Sequence, residues 1–323
     1  KGVFSVVSRE GALVLNNILL AVSCFVVFFG TLWPIIAEMF FDRKLSVGPP
    51  FFDMAFTPFM IGLGIALPIG ALMPWKRGKV LRAVWSLRYA FGLALAFGVT
   101  AWAMQSGRSA LGPIGLMLGS WVVFGAGIDI WSRTGKGRVA GRLARLFRLP
   151  RADWGRVLAH SGLGITMFAI AGLTAWQQED IRVVQLGDRY EVGDVTLTLE
   201  KVEQLRGPNY FTTQATVLLE VDGRELARVT PEKRTYPVAK MPTTEAAIDY
   251  RFLRDIYVVI GDEQSAGGWA MRTYIKPLTN WIWGGTLLMA LGGVLSLSDR
   301  RFRVAAGAGQ ARKPQKPTQV PAE

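Results

Sequence analysis

The chain has 323 residues, half of them hydrophobic, with a mean hydropathy of +0.28 and a formal charge of +13. This composition excludes an ordinary soluble domain and indicates a multi-span membrane protein. The stretch from residue 177 to 277 holds 13 basic and 16 acidic residues, a net charge of −3, so the remainder carries +16. Basic residues placed beside membrane spans are the positive-inside signal rather than a nucleic-acid footprint, and we expect no nucleic-acid partner.

Six apolar segments of about twenty residues are each long enough to cross ~30 Å of hydrocarbon. They cover approximately residues 13–38, 55–75, 83–104, 110–131, 154–176 and 278–297. We therefore predict an α-helical integral membrane protein with about six transmembrane helices, five of them in a membrane domain at 8–176. Lysine and arginine concentrate in the loops after the second, fourth and sixth segments. The positive-inside rule then places both termini of the chain in the cytoplasm.

Residues 177–276, before the last span, are predicted to form a small β-rich domain on the outer, periplasmic face. Strand patterns occur at 195–199, 212–221, 224–230, 256–260 and 269–275. Asp222-Gly223 between two of them is a strong hairpin turn signal. The basic tail at 302–323 is compositionally typical of disorder.

His160, the only histidine, lies inside the apolar segment 154–176. An ionisable side chain in a membrane helix usually serves as a ligand, a proton relay or a counter-ion, and imidazole is a good ligand for iron. A bis-histidine site would need its second ligand from elsewhere. The alternative is a histidine that hydrogen-bonds a neighbouring helix, with Gly162 and Gly164 allowing close helix contact. Cys24 is the only cysteine, so neither an internal disulfide nor a CxxCH haem-attachment motif exists here.

Several blocks resemble the C-terminal half of the cytochrome c maturation haem-lyase family, CcmF and its relative NrfE, over residues 8 to 302. No single block is decisive, but their order and spacing are specific. They are SREGALVLNN at 8–17, GTLWP at 30–34, SVGPPFF at 46–52, the segment around His160, YPVAK at 236–240, EAAI at 245–248, RDIYVVIG at 254–261 and KPLTNWIW at 276–283.

The resemblance implies a haem lyase that attaches haem to apocytochrome c CxxCH thiols outside the bacterial cytoplasmic membrane. It also implies a transmembrane b-type haem held by two histidines, which takes electrons from quinol and keeps the substrate haem reduced. His160 falls on one of these axial ligands. The implied partners are a haem chaperone, a thioredoxin-like apocytochrome-binding subunit, apocytochrome c and membrane lipid.

The family's Trp-rich haem-handling loop, WGGxWxWDP in type, is absent from this sequence. Its two flanking histidines and the other histidine of the membrane haem are absent too, and all belong to the family's N-terminal half. There is no initiator Met or signal-peptide pattern. We therefore expect a portion of a longer protein or one subunit of a split lyase, inactive alone and with no catalytic residue in this half.

Two neighbours of His160 are candidate cofactor contacts. Gly164, one helical turn away, would leave room for a flat macrocycle. Arg156, one turn toward the cytoplasm, either contacts a haem propionate or snorkels to the membrane interface.

Most of the other polar residues have two possible roles. Asn16 and Asn17 either line a polar cavity or hydrogen-bond a neighbouring helix. Asp129 is expected to pair with Arg133 four residues on. In the outer domain, partner contact or solvated surface fits a group of polar residues, namely Tyr236, Lys240, Glu245, Asp249 and Arg254.

Three other functions fit the same pattern. A non-catalytic scaffold subunit of the cytochrome c assembly complex would bind no haem. A quinol-linked b-type electron-transfer subunit would use His160 without lyase activity. A transporter would need a polar site at mid-membrane, for which the spans offer few candidates. No HExxH, P-loop, GxSxG or CxxC pattern occurs.

Overall fold

The structure is a computed structural model that describes residues 5–76, 79–105, 109–238 and 240–299. The predicted tail at 302–323 lies outside the described residues. Nine helices and ten strands are found in this part of the chain. The helices are α1 (Arg9–Phe41), α2 (Pro49–Ala55), α3 (Thr57–Leu72), α4 (Val80–Ser86), α5 (Arg88–Met104), α6 (Leu111–Arg133), α7 (Val139–Leu146), α8 (Arg151–Trp176) and α9 (Thr279–Leu297).

Four described helices, α1, α6, α8 and α9, are each long and apolar enough to cross a membrane. The pairs α2–α3 and α4–α5 reach that length only when counted together, and they are bent by 43° and 60°. The chain therefore has four candidate spans, or up to six if each bent pair is one span. These apolar helices identify a membrane protein.

The second bend interrupts the predicted segment 83–104, whereas the first lies at Phe56, at the start of the predicted segment 55–75. Pro58 lies in the first turn of α3 and cannot donate an intrahelical hydrogen bond, so α2 and α3 separate there. Pro49 and Pro50 begin α2, a position where a missing backbone N–H is tolerated. At the second bend, the fully buried Leu87 leaves the helical conformation, with ψ near 3°.

Helix α8 lies at the centre of the helical part, packed against α6 and α9. Its glycines allow backbones to touch. A Cβ added at Gly162 would lie 2.5 Å from the carbonyl oxygen of Gly285 in α9, closer than any side chain tolerates. Without a hydrophobic drive between helices in lipid, small residues of this kind allow the close packing that holds spans together.

All strand pairings in the described part of the β-rich domain are antiparallel, and the strands form two sheets. One has the order β1-β10-β9-β8, and the other β2-β3-β4-β6-β7 with β5 also on β4. The strands are β1 (Gln178–Val184), β2 (Arg189–Val192), β3 (Val195–Arg206), β4 (Phe211–Val221), β5 (Arg224–Val229), β6 (Glu232–Tyr236), β7 (Met241–Glu245), β8 (Ala247–Tyr250), β9 (Arg254–Glu263) and β10 (Trp269–Pro277).

The five predicted strands are confirmed as β3, β4, β5, β9 and β10. Alternate residues of these strands, such as Leu197, Val217 and Ile256, are fully buried in one core between the sheets. Asp222 and Gly223 have φ of 50° and 74°, the left-handed pair that a two-residue type I′ hairpin requires. The predicted hairpin is thus confirmed.

The sheet domain is connected to the last helix by side-chain hydrogen bonds as well as by the chain. Asn280 Nδ2 donates to Asp255 Oδ1 at 2.8 Å, and Trp281 Nε1 donates to the carbonyl oxygen of Phe252 at 2.9 Å. These contacts orient the first turn of α9 on strand β9 and the loop before it. The sheets therefore lie at the end of α8 and α9 that is remote from Arg151.

Candidate functional site

His160 lies nine residues into α8, about 14 Å from its first residue at 1.5 Å per residue. Its side chain borders a partly open cavity of about 160 Å³ that is lined by α1, α3 and α8. The cavity wall is apolar on the α3 side and polar toward the beginning of α8. Its lining residues are Arg9, Ala12, Leu13, Asn16, Leu63, Ala66, Leu67, Gly70, Ala71, Arg156 and His160.

Helix α1 contributes one continuous face to this cavity. Ser8 caps the helix by accepting a hydrogen bond from the Gly11 amide at 3.1 Å, and Arg9 and Asn16 follow on one side of the first two turns. Asn16 therefore takes the cavity-lining position, and its amide donates to Asn17 Oδ1 at 3.3 Å. The sequence reasoning missed Arg9. Its spacing of i, i+3, i+4 and i+7 with the other α1 residues could have indicated it.

Four charged residues form a network beside the cavity. Asp129 is buried and accepts hydrogen bonds from Arg133 at 3.2 Å and from Arg156 on α8 at 2.9 Å. Asp153 pairs with the same two arginines at 3.1 and 3.3 Å. The predicted Asp129–Arg133 pair is confirmed, but the sequence did not show that the network joins α6 to α8. Arg156 is paired with two carboxylates, and both readings of it, propionate contact and snorkelling to the interface, stay predictions.

Gly164 does not face the cavity of His160. A Cβ added there would lie 2.7 Å from Val123 Cγ2 and 2.8 Å from the carbonyl oxygen of Gly119, both in α6. The space beside Gly164 is thus filled by a neighbouring helix, and the prediction that it leaves room for a flat cofactor is corrected. Close helix contact, the alternative, describes both Gly164 and Gly162.

Comparison with known proteins shows which proteins this chain resembles. The family described as "CcmF C-terminal beta-sandwich" matches residues 175–277, the two-sheet domain. Cytochrome c-type biogenesis protein ccl1 of Rhodobacter capsulatus is 56% identical over 96% of this chain and 47% of its own length. CcmF of Escherichia coli is 35% identical over 92% of this chain and 44% of its own length.

A solved structure titled "Cytochrome c Heme Lyase CcmF" matches 91% of this chain with a TM-score of 0.70 and 26% identity. Residues 175–277 belong to the CcmF C-terminal sandwich family, and the chain as a whole is similar to the C-terminal half of CcmF proteins. It spans about half the length of the relatives it matches, and 46% of the solved CcmF chain. Its place is the C-terminal half, because the matched sandwich is the C-terminal one.

The described residues fit one half of a haem site. They provide one imidazole for iron and, at the polar end of the cavity, the guanidinium groups of Arg9 and Arg156, which suit carboxylates. The cavity itself is smaller than the ~300–1,000 Å³ typical of small-molecule pockets. Helix α1 is largely exposed, since only Ser23, Gly30 and Ala37 of its residues are buried. Haem would therefore need a further wall and a second ligand from outside this chain.

Ion pairs occupy several polar residues of the CcmF sandwich that were candidates for partner contact. Arg254 donates to Asp194, and this hydrogen bond holds the pKa of the Asp194 carboxyl below its usual range. Asp249 pairs with Arg251 at 2.7 Å. Glu245 lies 3.6 Å from a basic side chain of the neighbouring strand β6. Both readings of these residues, partner contact and solvated surface, stay open.

Proposed function

We propose that this chain is the C-terminal portion of a cytochrome c haem lyase, which attaches haem covalently to the CxxCH thiols of apocytochrome c in the periplasm. The haem that is attached is the substrate. Similarity to CcmF proteins supports the general function. The observation that carries the specific role is the position of His160, whose imidazole borders a cavity between three apolar helices.

His160 would hold a resident b-type haem, with a second histidine supplied from outside this chain. Such a haem supplies one-electron transfer from quinol, which keeps the substrate haem reduced. Arg9 and Arg156 would face its carboxylates at the polar end of the cavity.

The chain's own contribution is rigid positioning. Helix α8 is fixed against α9 by the glycine contact at Gly162 and against α6 by the contact at Gly164. The pairs of Asp129 with Arg133 and Arg156 tie the same two helices together near the start of α8. A ligand on a helix held at three places keeps its orientation, which positions redox groups without acid–base chemistry in this half.

The β-sandwich would lie in the periplasm of a bacterial inner-membrane protein. The beginning of α1 and the end of α9 would face the cytoplasm. In the periplasm the sandwich would meet apocytochrome c, the haem chaperone and the thioredoxin-like subunit. The N-terminal half of the lyase would complete the haem site. The charge asymmetry supports this orientation, since the sandwich stretch carries −3 and the rest of the chain +16.

The test uses the full-length protein that contains this chain, purified from membranes, with His160→Ala compared against Ser161→Ala. Ser161 is the next residue on α8 and does not line the cavity. We expect His160→Ala to lose the low-spin b-type absorbance and to lower cytochrome c maturation, while Ser161→Ala keeps both. Added imidazole should restore part of the absorbance in His160→Ala.

An unchanged low-spin spectrum in His160→Ala would remove the ligand role. A chain without that role would act as a scaffold subunit of the assembly complex.

A further inference from the structure

A groove of about 590 Å³ lies between α3, α4 and α6, separate from the His160 cavity. Two cations, Lys79 and Arg82, line it. Ser86 and Ser132 also line it, but their hydroxyl groups donate to backbone carbonyl oxygens of their own helices. The remaining wall is apolar and includes Leu72 and Ile128 on the two sides of the groove.

The charge of this groove is not neutralised within the described part of the chain. No carboxylate there lies within 4.0 Å of Lys79 or Arg82, whereas Arg133 and Arg156 nearby are held by Asp129. Arg142 is also occupied, because its guanidinium donates to the carbonyl oxygen of Trp131 at 2.7 Å. A groove with two free cations above an apolar wall is complementary to an anion that carries a hydrocarbon chain.

Helix α4 places this groove at the level of lipid headgroups. The helix is bent by 60° from α5, and its Leu81 is 79% exposed. Trp75 and Trp85 on either side are 58% and 66% exposed, and tryptophan favours the membrane–water interface. The two tryptophans indicate that the cations of the groove lie near the depth of lipid phosphates.

We propose that the groove between α3, α4 and α6 binds one anionic phospholipid, with its phosphate on Lys79 and Arg82 and an acyl chain along α4. A zwitterionic lipid has a phosphate too, but its own cation opposes Lys79 and Arg82. The site is thus selective for net negative headgroups. This binding does not depend on haem at His160.

The experiment is native mass spectrometry of the full-length protein in non-ionic detergent, titrated with phosphatidylglycerol or with phosphatidylcholine. We expect phosphatidylglycerol to bind at least tenfold more tightly. The double variant Lys79→Gln/Arg82→Gln should bind it about thirty-fold more weakly, at about fivefold per cation removed near the surface. The matched control is Lys136→Gln/Arg138→Gln, which removes two exposed cations. One lies in the loop before α7 and the other is the N-cap residue of α7. It should change binding by less than twofold.

Three results would overturn the proposal. They are equal binding of the two lipids, equal losses in the two double variants, and displacement of the lipid by millimolar inorganic phosphate, which would make the groove a free-anion site. Thermal unfolding of each variant shows whether the protein remains folded, and the exposed positions of Lys79 and Arg82 lead us to expect no change.

Discussion

The ion pairs of Asp129 and Asp153 with Arg133 and Arg156 connect α6 to α8, and their contribution to stability can be measured. We predict that Asp129→Asn lowers the free energy of unfolding more than Asp153→Asn does, although each carboxylate contacts the same two arginines. The difference follows from burial. The Asp129 side chain is 2% exposed and uses one oxygen for each arginine, at 3.2 and 2.9 Å. Asp153 is 20% exposed and uses a single oxygen, at 3.1 and 3.3 Å.

The magnitudes follow from the number of partners that remain. Removing one partner of a buried ion pair costs ~3–5 kcal/mol when a charge is left uncompensated. In Asp129→Asn, Asp153 still compensates Arg133 and Arg156, so we expect the lower end, about 3 kcal/mol. In Asp153→Asn the partly exposed pair is lost while Asp129 stays, and we expect about 1 kcal/mol. The double variant removes both carboxylates, and its cost should exceed the sum by ~1 kcal/mol or more.

The assay is reversible unfolding of the full-length protein in mixed micelles, followed by tryptophan fluorescence. Arg156→Gln is a useful companion, because it removes the α8 side of the network and leaves the Asp129–Arg133 pair within α6. Equal losses for Asp129→Asn and Asp153→Asn, or costs that simply add in the double variant, would refute the view that burial and shared arginines set the strength of this network.

Two further outcomes follow from the packing and from the sandwich. Gly162→Leu should abolish the monodisperse peak of folded protein on size-exclusion chromatography, because the added Cβ would lie 2.5 Å from a carbonyl oxygen of α9. The control Gly284→Ala should keep that peak, because a Cβ there meets nothing within 4 Å. Burial raises the pKa of Asp255 in the sandwich, so its contribution to stability is present below its unfolded pKa of ~3.9 and is lost as pH rises through the higher folded pKa. Asp255→Asn should abolish that loss in chemical unfolding measured from pH 3.5 to 6.5, and an unchanged pH slope would contradict the assignment.

The helical class, the approximate spans and half of the strands could be read from the sequence because they depend on local patterns. Apolar runs of about twenty residues predict spans, and alternation predicted β3, β4, β5, β9 and β10. The strands β1, β2, β6, β7 and β8 were not predicted, since most are short or largely exposed and show little alternation. The amphipathic helix α7 inside the basic loop was also missed, since at eight residues it is shorter than any span.

At the candidate site, the sequence identified His160 by chemical type, because an imidazole in an apolar segment is unusual. It also predicted the Asp129–Arg133 pair from their spacing of four residues. Which helices approach His160 could not be read in the same way. Arg9 lies about 150 residues away in sequence, and only the contact of α1 with the rest of the molecule brings it to the same cavity.

The amino-acid order by itself thus determined the approximate spans, half of the strands and the family resemblance, since hydropathy period, turn residues and motif spacing are properties of short stretches. Tertiary structure alone decided that Gly164 packs against α6 and that Asp129 bridges to Arg156. It also decided that the helix pairs α2–α3 and α4–α5 are bent. The physical reason is that a glycine, a carboxylate or a break in a helix has several uses with nearly equal local cost. Which use is realised depends on the neighbour that fills the space beside it, and that neighbour is remote in sequence.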